Sequence, residues 1–267
     1  MADNQTRPAV RRRVHKTRIV GCFTVLLAII LISGSLISSC KNKDDNIKPV
    51  SDHNMVTQNS VITAPEKKDK YLICIDPGHG GDDPGSDYGT VRLEKDDNLK
   101  YAMEVYNILN SREGIEAIIT RTTDENPSTR ERADIANKAG ADLYLALHRN
   151  YSVDSSANGV EVWVQNETSM VDDMLAFKIL TKLSKVGISK NRGKQAGFTN
   201  ESQKNFEIIE FTNMTSCIVE LGFISNDTDN KLFDEKYKQY AVAIADAAEE
   251  MCNDEYLDSP KSTEKAS

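Results

Sequence analysis

Apolar residues in this chain are grouped into runs of distinct length and period, and the grouping predicts the elements. The first run is the longest. Residues 19–37, IVGCFTVLLAIILISGSLI, carry no charge and suffice to cross a bilayer as one helix. Later runs are short and bounded by Gly, Pro or polar residues, as buried strands are. They are residues 71–76 (YLICID), 115–120 (IEAIIT), 142–147 (DLYLAL), 160–164 (VEVWV) and 217–221 (CIVEL). Between them the period changes to that of helices. Leu99, Ala102, Met103, Tyr106 and Leu109 recur at spacings of three and four within a helix expected over 97–111. Ser128 with Glu131 forms a capping box that opens a helix running to Lys138, and Gly140 stops it. Further helices are expected over 169–185 and 237–251, a loop over 187–205 and a short edge strand over 207–210. Strands alternating with helices predict an α/β domain, a sheet with helices on its faces.

Charge divides the chain. Net charge is -8 overall. Residues 1–18 hold Arg7, Arg11, Arg12, Arg13, Lys16 and Arg18 against Asp3 alone, a net +5, so all that follows carries -13. An acidic body excludes a phosphate-backbone partner, which needs clustered Lys and Arg, and no nucleic acid is expected. A mean hydropathy of -0.48 excludes a polytopic membrane protein. The basic cluster should stay in the cytoplasm and place the body outside. Two readings of residues 19–40 compete: an uncleaved signal anchor, or a lipoprotein signal with Ile37-Ser38-Ser39-Cys40 as the lipid-attachment sequence. The long polar leader favours the anchor. The expected organisation is a basic leader (1–18), a membrane anchor or lipoprotein signal (19–40), a flexible linker (41–70), a single folded domain (71–255) and a polar tail (256–267). The expected location is a bacterial membrane with the domain on its outer face.

Candidate chemistry begins with histidine. Of four, His15 lies in the leader, His53 in the linker, and only His79 and His148 in the domain. Each follows a predicted strand. In open α/β sheets ligands bind beyond the carboxyl ends of parallel strands, so parallel strands here would bring both imidazoles to one edge. Two such histidines suit a metal site, which needs a further His or carboxylate. Candidates for that ligand are Asp76, Asp82, Asp83, Asp87 and Glu94, and Glu220, whose charge interrupts an apolar strand and is costly unless paired. The spacing alone does not separate a metal ligand from a proton-transferring acid. The Gly-rich stretch 76–85 is not a phosphate cradle, because it lacks the Gly-Lys-Ser/Thr ending and its acids repel phosphate. Cys74, Cys217 and Cys252 fall in apolar elements with no disulfide or zinc spacing and read as buried thiols.

These stretches together carry a resemblance. IDPGHGGDDPG (75–85), Glu94 within LEKDDNL, TRTTD (120–124), RERADIANKAGADLYLALHRN (130–150) and VELGFISN (219–226) resemble the zinc-dependent N-acetylmuramoyl-L-alanine amidases known as amidase family 3. The match runs in order over residues 71–252, and the NRG at 191–193 is also similar. The resemblance implies a mixed, largely parallel central sheet flanked by helices. It implies zinc held by His79, Glu94 and His148, with Glu220 as the catalytic carboxylate. The implied substrate is peptidoglycan, cut between muramic acid and the L-alanine of the stem peptide. Arg149 departs from the family, where a small residue is more common, and reads either as a contact to a stem-peptide carboxylate or as a solvent-facing side chain. No long site-plugging insert or wall-binding repeat is evident, so a domain open to substrate and limited by its tether is expected; a protein activator is left unknown.

The implied mechanism uses Glu220 first as general base toward water and then as general acid toward the leaving amine. Asp76 reads either as an acid that orients an imidazole or as a strand-end cap. The alternatives are a zinc hydrolase acting on another wall bond and a catalytically inactive wall-binding protein, although all four site residues are present. A membrane-anchored sensor is not expected, because it would need a sizeable cytoplasmic output module and the leader before the apolar run is 18 residues.

Overall fold

The computed structural model describes residues 67–88, 92–167, 169–197 and 205–257. The leader, the apolar segment 19–37 and nearly all of the expected linker and tail lie outside the described residues. Among the described residues no helix is long and apolar enough to cross a membrane.

The elements follow in chain order: β1 Tyr71–Pro77, β2 Asp87–Tyr88, β3 Arg92–Leu93, α1 Glu94–Asn110, β4 Ile115–Ile119, α2 Thr129–Ala139, β5 Leu143–Asn150, β6 Val160–Val164, α3 Met170–Val186, β7 Asn191–Ala196, α4 Glu207–Glu210, β8 Thr215–Phe223 and α5 Asp227–Cys252. Six strands form one sheet in the order β4-β1-β5-β8-β6-β7, and β2 pairs with β3 separately. Every neighbouring pair in the large sheet is parallel except β6 with β8. The mixed, mostly parallel sheet is the architecture the sequence implies.

Because strand side chains alternate, the sheet has two different faces. Ile73, Ile75, Leu143, Leu145, Leu147, Val162 and Val219 face a thick core covered by α1, α3 and α5. The Ala-rich stretch of α5 allows that helix to pack closely there. Cys74, Tyr144, Ala146, Trp163 and Ile218 face the other way, into a smaller cluster with Ala136 of α2 and Ile208 and Ile209 of α4. With both faces covered, β1, β5 and β8 read as continuous apolar runs. Cys74, Cys217 and Cys252 are buried, as expected.

The capping box at Ser128 forms as expected, and Gly140 ends α2 in the left-handed conformation. Four expectations are corrected. The expected loop over 187–205 contains β7, a polar edge strand whose pairing with β6 leaves no apolar alternation to read. The expected strand at 207–210 is the single turn α4, because Ile208 and Ile209 are buried together rather than on opposite faces. Helix α1 begins at Glu94, and its buried stripe runs through Glu94, Asp97, Asn98, Tyr101, Ala102, Val105 and Leu109. Three polar residues carry that stripe into the first turn, so apolar periodicity misses it. Helix α5 likewise starts ten residues before the expected 237, capped by the Asn226 side chain on the Asp229 N–H (3.1 Å).

Candidate metal centre

Strands β1 and β5 are parallel neighbours, with Pro77 opposite Leu147, so their carboxyl ends meet at one edge. His148 sits inside the end of β5 and His79 two residues beyond β1. Their rings lie edge to face with centroids 4.9 Å apart. Glu94 reaches them from the first residue of α1. One nitrogen from each ring and one Glu94 oxygen all lie within 4.8 Å of one another, a group able to hold a metal ion.

Glycines make this convergence sterically available. A Cβ on Gly78 would lie 2.1 Å from the His148 ring, and one on Gly85 would lie 2.6 Å from His79 Cδ2 and 2.8 Å from Glu94 Oε2. His79 has φ 62°, the only positive value at a non-glycine among the described residues, and Gly80 and Gly81 continue in that region.

Hydrogen bonds hold the donors in place. Glu94 Oε2 accepts from the Ser86 N–H (2.9 Å), while Oε1 accepts from the Arg149 N–H (3.1 Å) and from Asn98 Nδ2 (3.3 Å). The same oxygen lies 3.0 Å from His148 Nδ1 and 3.3 Å from His79 Nε2. Burial would raise the Glu94 carboxyl, but these two imidazoles outweigh it and hold it well below the ordinary value. Burial would likewise lower His79, yet Glu94 and then Asp83 raise it to about 9. Asp83 Oδ2 lies 2.8 Å from His79 Nδ1, which directs the other nitrogen, Nε2, into the cluster.

Glu220 projects from β8 directly opposite His148 on one side and Glu161 on the other. Its Oε2 is buried and has no hydrogen-bond partner. Burial, then the charges of Glu94 and Glu161, push its carboxyl well above the ordinary range. Glu161 by contrast is fully engaged by Asn150, Trp163 and Arg192 (2.7, 3.1 and 2.6 Å). Next to the group able to hold a metal lies therefore one buried carboxylate oxygen without a hydrogen-bond partner. All four residues line an open cleft of about 1250 Å³ on the thinner face of the sheet.

The sequence profile of the family described as N-acetylmuramoyl-L-alanine amidase matches residues 73–250. This chain belongs to that family. Among its relatives is the Staphylococcus aureus protein named "Probable cell wall amidase LytH", 34% identical over 170 residues, which are 62% of this chain and 53% of that protein. The chain thus spans about half the length of the curated relatives it matches. The N-acetylmuramoyl-L-alanine amidase from Clostridium difficile 630 superposes with a TM-score of 0.64 at 31% identity, covering 73% of this chain and all of that one. The amidase AmiC2 of Nostoc punctiforme gives 0.62 at 28% identity, covering 71% and 100%.

Within this family fold, other residues named from sequence fall outside the cluster. Asp76 meets no imidazole. It is buried against Arg132 (2.8 Å) and the Thr120 hydroxyl. Asp83, one of the acids considered as a ligand, instead orients His79 from behind. Arg149 is neither solvent-facing nor aimed at substrate. It is 1% exposed, paired with Asp97 (2.5 Å), bonded to Asn230 Oδ1 (2.9 Å) and seated 4.4 Å over the Phe233 ring. Successive strand residues point to opposite faces, so His148 in the cleft requires Arg149 in the core. Asn98 escaped the sequence reading because a helical Asn carries no motif, although its i+4 spacing from Glu94 marks it as a neighbour.

Proposed function

We propose that this chain hydrolyses the amide joining the lactyl group of N-acetylmuramic acid to L-alanine in peptidoglycan, with His79, Glu94 and His148 holding zinc and Glu220 moving the proton. The observation that carries this reading is the convergence of two imidazole nitrogens and one carboxylate oxygen within 4.8 Å beside a buried, unpartnered Glu220 oxygen. Family membership and the amidase relatives support it. The donor set fits zinc, which takes nitrogen and carboxylate ligands and in catalytic sites keeps a position open. When bound, zinc supplies Lewis-acid chemistry that polarises a carbonyl and brings the acidity of water toward neutral pH.

The chain's own residues supply the rest. Glu220 accepts a proton from the water whose oxygen attacks the lactyl carbonyl carbon. It then returns that proton to the alanine nitrogen as the carbon–nitrogen bond breaks, leaving a lactyl carboxylate and a free amine. A raised pKa suits a group that must serve as base and then as acid. Asp83 keeps Nδ1 of His79 occupied, so Nε2 is the nitrogen available to metal. The cleft is open to solvent and about 1250 Å³ in volume, which suits a large substrate. We further infer that residues 19–40 tether the domain to the outer face of a membrane, as anchor or lipoprotein, on the strength of the uncharged run and its basic flank.

The test separates metal binding from turnover. Glu220→Gln should retain one zinc per chain and lose about 100-fold or more in rate. Retained turnover in the zinc-loaded variant would remove Glu220 from this role, and an unchanged zinc content in His148→Ala would remove the ligand assignment.

A further inference from the structure

Beneath the loop that carries His79 lie two buried arginines that touch none of the three metal-binding side chains. Arg121 follows β4 and Arg132 stands in the first turn of α2; they are 3% and 5% exposed. Arg121 donates through Nε to the carbonyl of Pro77 (2.9 Å), through Nη2 to those of Gly78 (3.0 Å) and Lys95 (2.9 Å), and through Nη1 to Thr123 (3.1 Å). Arg132 donates through Nη1 to the Pro77 carbonyl (2.7 Å) and Asp76 (2.8 Å), through Nη2 to the His79 carbonyl (2.8 Å), and through Nε to Pro127 (2.7 Å). Three consecutive carbonyls, at 77, 78 and 79, therefore end on guanidinium groups.

The backbone there explains why so many charged bonds are gathered. The chain turns through positive φ at 79, 80 and 81. Such conformations at a non-glycine are strained and persist only where the surroundings over-determine them. Burying guanidinium groups is itself costly. Among the described residues the only carboxylate hydrogen-bonded to either one is Asp76, with Asp96 and Asp124 acting on Arg121 only through space, so the pair places two guanidinium groups near a site for a cation. On charge alone the two arginines oppose metal binding. Their geometry does the reverse: it fixes the His79 loop, and through Lys95 it ties that loop to the residue after Glu94.

We propose that Arg121 and Arg132 are positioning residues for the metal centre, clamping carbonyls 77–79 so that His79 meets Glu94 and His148. The inference rests on reading those three residues as metal ligands, and the experiment separates the two claims. The purified full chain is stripped of metal, its fold is checked by circular dichroism, and zinc affinity is measured by competition with a chromophoric chelator. The variants are Arg132→Lys, Arg132→Gln and Arg121→Lys. Positioning predicts that all three, while folded, bind zinc about 10–100-fold more weakly than wild type. Charge alone predicts unchanged affinity for the Lys variants and tighter binding for Arg132→Gln, and either result overturns the proposal. Wild-type affinity in folded variants with a lowered melting temperature also overturns it, because the arginines would then serve only the fold. Should the arginine variants not fold, Asp76→Asn carries the test: it keeps the core filled and removes the charge that seats Arg132. Weaker zinc binding supports the clamp and unchanged binding overturns it. A wild-type chain that takes no zinc overturns the metal site itself.

Discussion

Substituting Gly78 by Ala tests the geometry of the centre with a single methyl group. Gly78 does not have a positive φ, so alanine fits the backbone there without strain. What it meets is the His148 ring: the new Cβ would lie 2.1 Å from Cε1, 2.2 Å from Nε2 and 2.7 Å from Nδ1. An ordinary contact is about 3.4 Å or more, so the ring must retreat by roughly 1.3 Å or the loop must lift by as much. The ring has little room, since its Nδ1 is 3.0 Å from Glu94 Oε1 and the His148 carbonyl accepts from the Tyr101 hydroxyl (3.1 Å). A displacement of that size at a reacting centre costs about 100-fold in rate. Gly78→Ala should therefore fold, as judged by circular dichroism and gel filtration, yet bind zinc more weakly and lose about 100-fold or more in turnover. Full zinc occupancy with wild-type turnover would show that His148 does not stand where the argument needs it.

Other consequences follow from the same residues. Arg149→Met should reduce unfolding free energy by about 1–3 kcal/mol in chemical denaturation, because Asp97 keeps Arg92 (2.7 Å) but loses its second, buried partner, and leave the cleavage products unchanged; normal stability with altered products would return Arg149 to the substrate site. His79 is raised from 6.5 to about 9, so in the metal-free chain its charged form contributes stability that is full below pH 6.5 and lost as pH rises through 9. Zinc must displace that proton, so affinity titrated at pH 6, 7 and 8 should rise about tenfold per unit from His79 alone; a flat profile would contradict a protonated His79. Asp83→Asn removes the charge that orients His79 and should weaken zinc binding about tenfold, whereas unchanged binding would show that Glu94 alone sets the ring.

How much of this was legible in the sequence depended on which physical signal each part leaves. Strands β1, β5, β6 and β8 are covered on both faces and read as apolar runs, and the edge strand β4 keeps enough apolar residues to read likewise. The capping box at Ser128 and the stop at Gly140 read directly, since both are local chemistry. The two domain histidines pointed to one edge because parallel strands expose their carboxyl ends together. Strand β7 was invisible because it is a polar edge held by backbone pairing to β6. The start of α1 was missed because Glu94, Asp97 and Asn98 are buried by their partners rather than by hydrophobicity. Asp76 and Asp83 could not be told apart by spacing, since one turn of loop decides which acid meets the imidazole and which meets Arg132. The character of Arg149 was hidden for a similar reason: a charged residue beside a site residue suggests substrate until strand alternation sends it to the opposite face.

The central claim is that this centre cuts the lactyl–alanine amide, and products decide it most directly. Purified peptidoglycan incubated with the protein, with chelator, and with chelator followed by zinc, would be analysed by mass spectrometry. The account predicts stem peptides with a free alanine amine and glycan retaining the lactyl carboxylate, lost on chelation and restored by zinc. Intact lactyl–alanine linkages in the presence of zinc-loaded protein, or cleavage at any other bond, would contradict it.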